Sequence, residues 1–175
     1  MAYIFYIIFF IAVFFVALTV AWAAFSFAPW APMKSRDLQR IFQLADMRPG
    51  EVFYDVGCGN GKVALYAARR CHVRAVGLEL ALPLFWLCQL RRLFSPRADV
   101  IFKWRNLFFE NLSGADVVYF FGIPSTISKK LKHKLEQELK PGARVISYAF
   151  RVDGWQPAAV SKPDGKSIPV YLYVR

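Results

Sequence analysis

The chain has 175 residues, a formal net charge of +11 at pH 7 and an apolar share of 57%, against roughly half in an ordinary soluble domain. That length accommodates one domain plus an appendage. Its three cysteines, Cys58, Cys71 and Cys88, follow no CxxC spacing, and His72 and His133 lie far apart. This pattern argues against a disulfide framework, a zinc site and a His-based triad.

The apolar excess sits at one end. Residues 1–33 contain no Asp, Glu, Lys, Arg or His, and the run from Tyr3 to Phe27 is long enough to cross a bilayer, which needs about 20 apolar residues as a helix. The rival reading is a secretory signal, with small residues at Ala21 and Ala23 in cleavage spacing. A signal has a basic start and an apolar core of roughly 7–15 residues; this segment has neither. The reading is therefore a transmembrane anchor over residues 1–28, with Trp22, Phe25, Phe27 and Trp30 suited to the interfacial aromatic belt. Lys34, Arg36 and Arg40 follow the helix and no cation precedes it, so the positive-inside rule puts the following domain on the cytoplasmic side. All the formal charge lies in residues 34–175. Such a domain can lie against anionic headgroups or attract an acidic partner or nucleic acid. A merely solvated basic face is the plain alternative.

Pro29 and Pro32 break the helix and make residues 29–34 a linker; residues 35–175 read as one domain. Ser35 caps a helix running to about Met47, with Leu38, Ile41, Phe42 and Leu44 on its apolar face. Strand-like and helix-like runs then alternate. Strands are predicted at 51–57, 73–80, 98–104, 115–122 and 143–150, and helices at 61–70, 81–94 and 125–139. Runs at 157–162 and 167–175 flank the turn Pro163-Asp164-Gly165-Lys166 and read as a closing hairpin. The alternation implies an α/β fold, a mostly parallel sheet covered by helices on both faces.

The chemistry starts at residues 54–64, YDVGCGNGKVA, a glycine-rich turn between a strand and a helix. Walker A requires G-x-x-x-x-G-K-[ST]; here Lys62 follows Gly61, but Val63 stands in the Ser/Thr position. The dinucleotide fingerprint is G-x-G-x-x-G, and Gly61 comes one residue too early. The observed pattern, Asp55-x-Gly57-x-Gly59-x-Gly61, with Cys58 and Asn60 between the glycines, resembles the first motif of class I, seven-strand methyltransferases. The resemblance implies a Rossmann-like seven-strand sheet and S-adenosyl-L-methionine as cofactor. It implies that Asp55 meets the cofactor's amino group, while backbone N–H groups near Gly61 face its carboxylate. Glu79, with Leu80 beside it, ends the second strand where a carboxylate accepts from both ribose hydroxyls. An acid at that distance is shared with nicotinamide sites, so Glu79 alone does not discriminate. After the third strand Asn106 stands where the pattern usually has Asp; its carbonyl can accept from the adenine amino group. Leu107 and Phe108 then pack along the adenine plane or simply belong to the core.

The fourth strand ends in Phe121-Gly122-Ile123-Pro124 in place of the (Asp/Asn)-Pro-Pro-(Tyr/Phe) motif usual for amide and exocyclic-amine methylation, which argues against nucleic acid as substrate. This turn resembles that of the membrane-anchored protein-lysine methyltransferases acting on the ATP synthase c-subunit and the adenine nucleotide translocase. Further matches are the apolar N-terminal segment, Pro29-Trp30-Ala31-Pro32, the glycine loop, VGLEL with Glu79, KLEQEL, ARVIS and Trp155-Gln156-Pro157, over roughly residues 29–173. The resemblance implies a protein substrate, with an integral membrane protein among the options, whose lysine Phe121, Gly122, Ile123 and Pro124 position and Trp30 and Trp155 wall in. For both tryptophans the alternative is packing. No general base is assigned; Tyr148 and Asp153 qualify by position only. The run Lys129-Lys130-Lys132-His133-Lys134 reads as a solvated helix face or as a docking patch for headgroups or an acidic loop. Methylation of a lipid or quinone, and a non-catalytic module of the same fold, remain as rivals.

Overall fold

The computed structural model describes residues 2–26, 33 and 35–175. Seven strands form one sheet in the order β3-β2-β1-β4-β5-β7-β6. They are β1 (Val52–Val56), β2 (Arg74–Glu79), β3 (Val100–Trp104), β4 (Val117–Phe120), β5 (Arg144–Tyr148), β6 (Ala159–Ser161) and β7 (Val170–Val174). The first five pair in parallel. β7 runs antiparallel to β5, and β6 antiparallel to β7. All seven predicted strands are present. The closing hairpin inserts its second strand, β7, next to β5, leaving the three-residue β6 as the edge opposite β3; so short an edge offers little template for unwanted pairing.

Helices cover both faces because the central strands are apolar on both. Phe53 of β1 joins a cluster with α2 (Ser35–Ala45), α3 (Lys62–Cys71) and α4 (Leu82–Leu93). Tyr54 and Val56, one residue out of phase, join the opposite cluster with Leu131 and Leu135. The helix of that face is not uniform. α5 (Pro124–Thr126) runs into a π-helical turn, Ile127–Leu131, before α6 (Lys132–Glu138). The turn holds Ile127 and Leu131 in the core. α2 stops at Ala45, earlier than the sequence suggests, because Asp46 takes a left-handed conformation at φ 45°.

The chain leaves β1 toward β2 and β3, then returns to place β4 on the other side of β1. In open α/β sheets ligands bind at the carboxyl ends of the strands where the order reverses in this way. Here that point lies between the ends of β1 and β4.

α1 (Ala2–Ser26) is 25 residues long, about 37 Å at 1.5 Å per residue. Its stretch Tyr3–Phe25 is long and apolar enough to cross a membrane by length and composition. Residues 3–15 are exposed, whereas Val16, Thr19, Ala23 and Ala24 are half-buried on one stripe. That stripe packs on the domain. The backbone N–H of Leu82 in α4 donates to Thr19 Oγ1 (3.2 Å), and Phe15 meets Trp104 edge-on at 6.5 Å. Phe27, Trp30 and the linker prolines lie outside the described residues.

Candidate active site

The turn after β1 is held in a conformation that favours glycine. Gly57, Gly59 and Gly61 have φ of 80°, 55° and 72°, which costs a residue with a Cβ energy at each position. The N–H groups of Gly57 and Cys58 both donate to Leu78 O at 2.9 Å, folding the loop over the end of β2. Glu79 ties it down. Its Oε2 accepts from Gly59 N (2.7 Å), and its Oε1 from Leu80 N (2.9 Å) and Ala81 N (2.7 Å). Burial pushes the Glu79 carboxyl above its ordinary pKa; the three N–H groups oppose that shift without cancelling it.

Asp55 sits beneath the same loop with 1% of its surface exposed. It accepts one backbone bond, from Ala64 N at 3.2 Å. Burial, with a smaller contribution from the charge of Glu79, pushes its pKa up to about 8. A cation placed against this carboxyl would reverse the shift by favouring the ionised form.

These groups form the floor of a cavity of about 580 Å³, a size suited to a cofactor. The floor is lined by Asp55, Gly57, Cys58, Gly59, Asn60 and Glu79, and one side by Leu80, Asn106 and Leu107. The far wall is apolar and aromatic. Phe121 stacks on Phe150 (centroids 6.1 Å, interplanar angle 17°) and meets Tyr148 edge-on at 5.8 Å. Tyr148 donates to Asp37 Oδ2 at 2.7 Å. Burial and this carboxylate raise its pKa well above the phenolic value. Ala149 between them has φ 75°, an uncommon conformation for a residue with a side chain. The hairpin fixes it, with Ala149 N donating to Pro169 O at 2.9 Å. The wall is completed by Ile168 and Pro169, by Met33, and by Val20, Ala23 and Ala24 from the end of α1.

The profile of the ANTKMT methyltransferase domain matches residues 55–159, well over half of the chain. The chain belongs to this family. It is 34% identical over 153 residues to a protein-lysine N-methyltransferase of Saccharolobus islandicus, covering 83% of this chain and 92% of that one. It is 36% identical over 137 residues to the mouse adenine nucleotide translocase lysine N-methyltransferase, covering 75% of this chain and 57% of the mouse protein. A crystal structure described as an RNA methyltransferase from Salinibacter ruber in complex with S-adenosyl-L-homocysteine superposes with a TM-score of 0.77. It is 31% identical and covers 82% of this chain and 93% of that one. The protein is an S-adenosylmethionine-dependent methyltransferase. The cavity floor suits that cofactor: Asp55 is a buried carboxyl that an ammonium group would complement, and glycine backbone lines the loop.

The family's fold brings most of the sequence-predicted residues together and displaces others. Asp55, Gly57, Cys58, Gly59, Asn60, Glu79, Leu80, Asn106, Leu107 and Phe121 line this cavity together. Gly61 does not. A Cβ there would lie 2.7 Å from the Phe102 ring and 3.0 Å from Cys88 Sγ, so its role is close packing of α3 on the sheet. The α3 N-terminus is also less open than its sequence suggests, because Asn60 Oδ1 accepts from Lys62 N (3.2 Å) and Asp55 from Ala64 N. Asn106 Oδ1 accepts from Phe108 N at 3.0 Å and caps the 3-10 turn Leu107–Phe109, leaving one lone pair for a ligand.

Of the Phe121–Pro124 turn only Phe121 lines the cavity; Gly122 is buried, while Ile123 and Pro124 open α5. Trp155 lies elsewhere. It meets Tyr173 at 5.5 Å, lies under Arg175 at 5.2 Å and donates to Glu136 Oε1 at 2.8 Å. It therefore packs on the far face instead of walling a channel. Asp153 is exposed and outside the cavity, and its carbonyl accepts from Lys132 Nζ at 2.8 Å. The raised pKa of Tyr148 removes it as a ready base at neutral pH. Trp30 lies outside the described residues. The basic run is divided. Lys132 and Lys134 are tied into the domain, Lys134 to Glu110 O at 2.6 Å and Glu138 Oε1 at 2.5 Å, while Lys129, Lys130 and His133 are exposed. Sequence reading missed Phe150, Tyr119, Arg105 and the end of α1 as lining residues. The pairing of β4 with β5 and the packing of α1 bring in Tyr119, Phe150 and the α1 residues, while Arg105 is set beside Asn106 by its N–H bond to Glu79 O at 3.0 Å.

Proposed function

We propose that this methyltransferase acts on the ε-amino group of lysine in a protein held at a membrane, with α1 as a single-pass anchor and the domain on the cytoplasmic side. The observation that carries the lysine reading is the 34% identity to the archaeal protein-lysine N-methyltransferase over nearly all of that protein. The apolar wall supports it. When bound, the cofactor supplies a methyl group on a positively charged sulfur, already activated for displacement. The chain then has to bind the donor, orient the amine and keep the amine neutral.

Asp55 would hold the donor's ammonium group and Glu79 its ribose. Phe121, Tyr148 and Phe150 form a channel for an alkyl-amine. A lysine has a solution pKa near 10.4, and desolvation in such a channel favours the neutral form. Holding the neutral nitrogen in one orientation toward the donor would supply the rate by positioning. Lys34, Arg36 and Arg40 after α1 support the orientation by the positive-inside rule.

The test is incubation of the full chain with methyl-labelled S-adenosylmethionine, membranes, soluble protein and RNA. Label recovered from protein as Nε-methyl-lysine is the expected result. Label confined to extracted lipid would replace the lysine reading with a lipid substrate, and label confined to RNA would align the chain with its Salinibacter neighbour. Cofactor binding without any transfer would leave a non-catalytic module.

A further inference from the structure

The outer face of α4 is apolar and open. Trp86, Leu90, Leu93 and Phe94 are 62%, 51%, 76% and 78% exposed, and their spacing puts them on one stripe of the helix. The opposite side holds Cys88 in the core. A contiguous exposed patch of this kind marks a contact surface. Its surroundings select the contact. Residues 80–98 contain Arg91, Arg92 and Arg97 and no acid. Arg92 and Arg97 are exposed, and Arg91 is turned inward to Asn60 O at 3.0 Å. An apolar stripe of Trp, Leu and Phe edged by arginine is the pattern of a helix lying in a membrane interface. α4 is also the helix on which α1 packs, through Thr19 and Leu82, and exposed Trp104 stands beside Phe15 of α1.

We infer that the α4 stripe is a second membrane-contact surface, sunk into the interface of an anionic bilayer beside α1. This rests on the reading of α1 as a span. Arg92 and Arg97 meet anionic headgroups while Trp86, Leu90, Leu93 and Phe94 enter the acyl boundary. The cavity, which α1 and Leu84 of α4 both line, is thereby held against the membrane surface.

The test uses the full chain in nanodiscs of mixed zwitterionic and anionic phospholipid, with Cys71→Ser as background; Cys58 and Cys88 are buried. A bimane probe is placed by Ile8→Cys, Leu93→Cys or Gln137→Cys, the last on the opposite face of the sheet, and quenched by lipid-borne nitroxides. Probes at 8 and 93 are expected to lose at least about half of their emission, and the probe at 137 little. Quenching at 8 with none at 93 overturns the docking surface while the span stands. No quenching at 8 overturns the span and the inference with it. A probe at 93 dark to lipid quenchers but shielded from aqueous iodide would put a second protein surface on α4 and overturn the lipid assignment.

Discussion

The floor of the cavity and its far wall are built in different ways. The floor is polar and wired locally: residues 55–61 and Glu79 reach each other through short backbone bonds from two adjacent strands. The wall is apolar and drawn from α1, β4, β5 and the closing hairpin, with its aromatic rings held by one another and by Asp37. A floor of this kind is suited to fixing the methyl donor. A wall of this kind can change its occupant by altering rings without disturbing the donor, so the two halves should separate in mutants.

The largest separation is expected at Glu79. Glu79→Ala removes a charged acceptor from three N–H groups, each such bond being worth about 1.5–3 kcal/mol. Calorimetry should show cofactor affinity falling at least about tenfold. Gly61→Ala is next. It should cost about 2–4 kcal/mol of stability in chemical denaturation, from the clash with Phe102 and the left-handed backbone. A loss of cofactor affinity at unchanged stability would return Gly61 to the ligand surface. Phe121→Ala should lower kcat/KM at least about tenfold, with cofactor Kd changed less than about threefold.

The raised pKa of Asp55 sharpens the picture of the floor. In the free protein this carboxyl holds a proton that the unfolded chain has lost, so its contribution makes stability fall as pH rises from about 4 to about 8. A bound ammonium favours the ionised form, so cofactor affinity should climb across pH 6 to 8. Asp55→Asn should flatten both profiles. The smallest effect is Trp155→Phe, which loses the bond to Glu136. It should cost about 1 kcal/mol of stability and leave kcat/KM unchanged, whereas a drop in kcat/KM alone would bring Trp155 back to the substrate.

The floor was legible in sequence because its determinants are local. Glycines at alternate positions, an acid before them and an acid at the next strand end are set by one turn and one strand. The strands were legible for the same reason, as short apolar runs bounded by turns. The wall was not, because Phe150, Ile168 and the end of α1 meet only through tertiary packing. Trp155 misled for the opposite reason: a short motif carries no information about which face of the sheet it will cover. Asp37 was invisible too, an acid early in a helix that becomes buried only when Tyr148 and Arg40 close on it.

The most direct test of this division is a calorimetric titration of S-adenosylhomocysteine into wild type, Glu79→Ala and Phe121→Ala. The expected result is binding lost or weakened at least about tenfold in Glu79→Ala and retained within about threefold in Phe121→Ala. Equal weakening in both, or intact binding in Glu79→Ala, would contradict it.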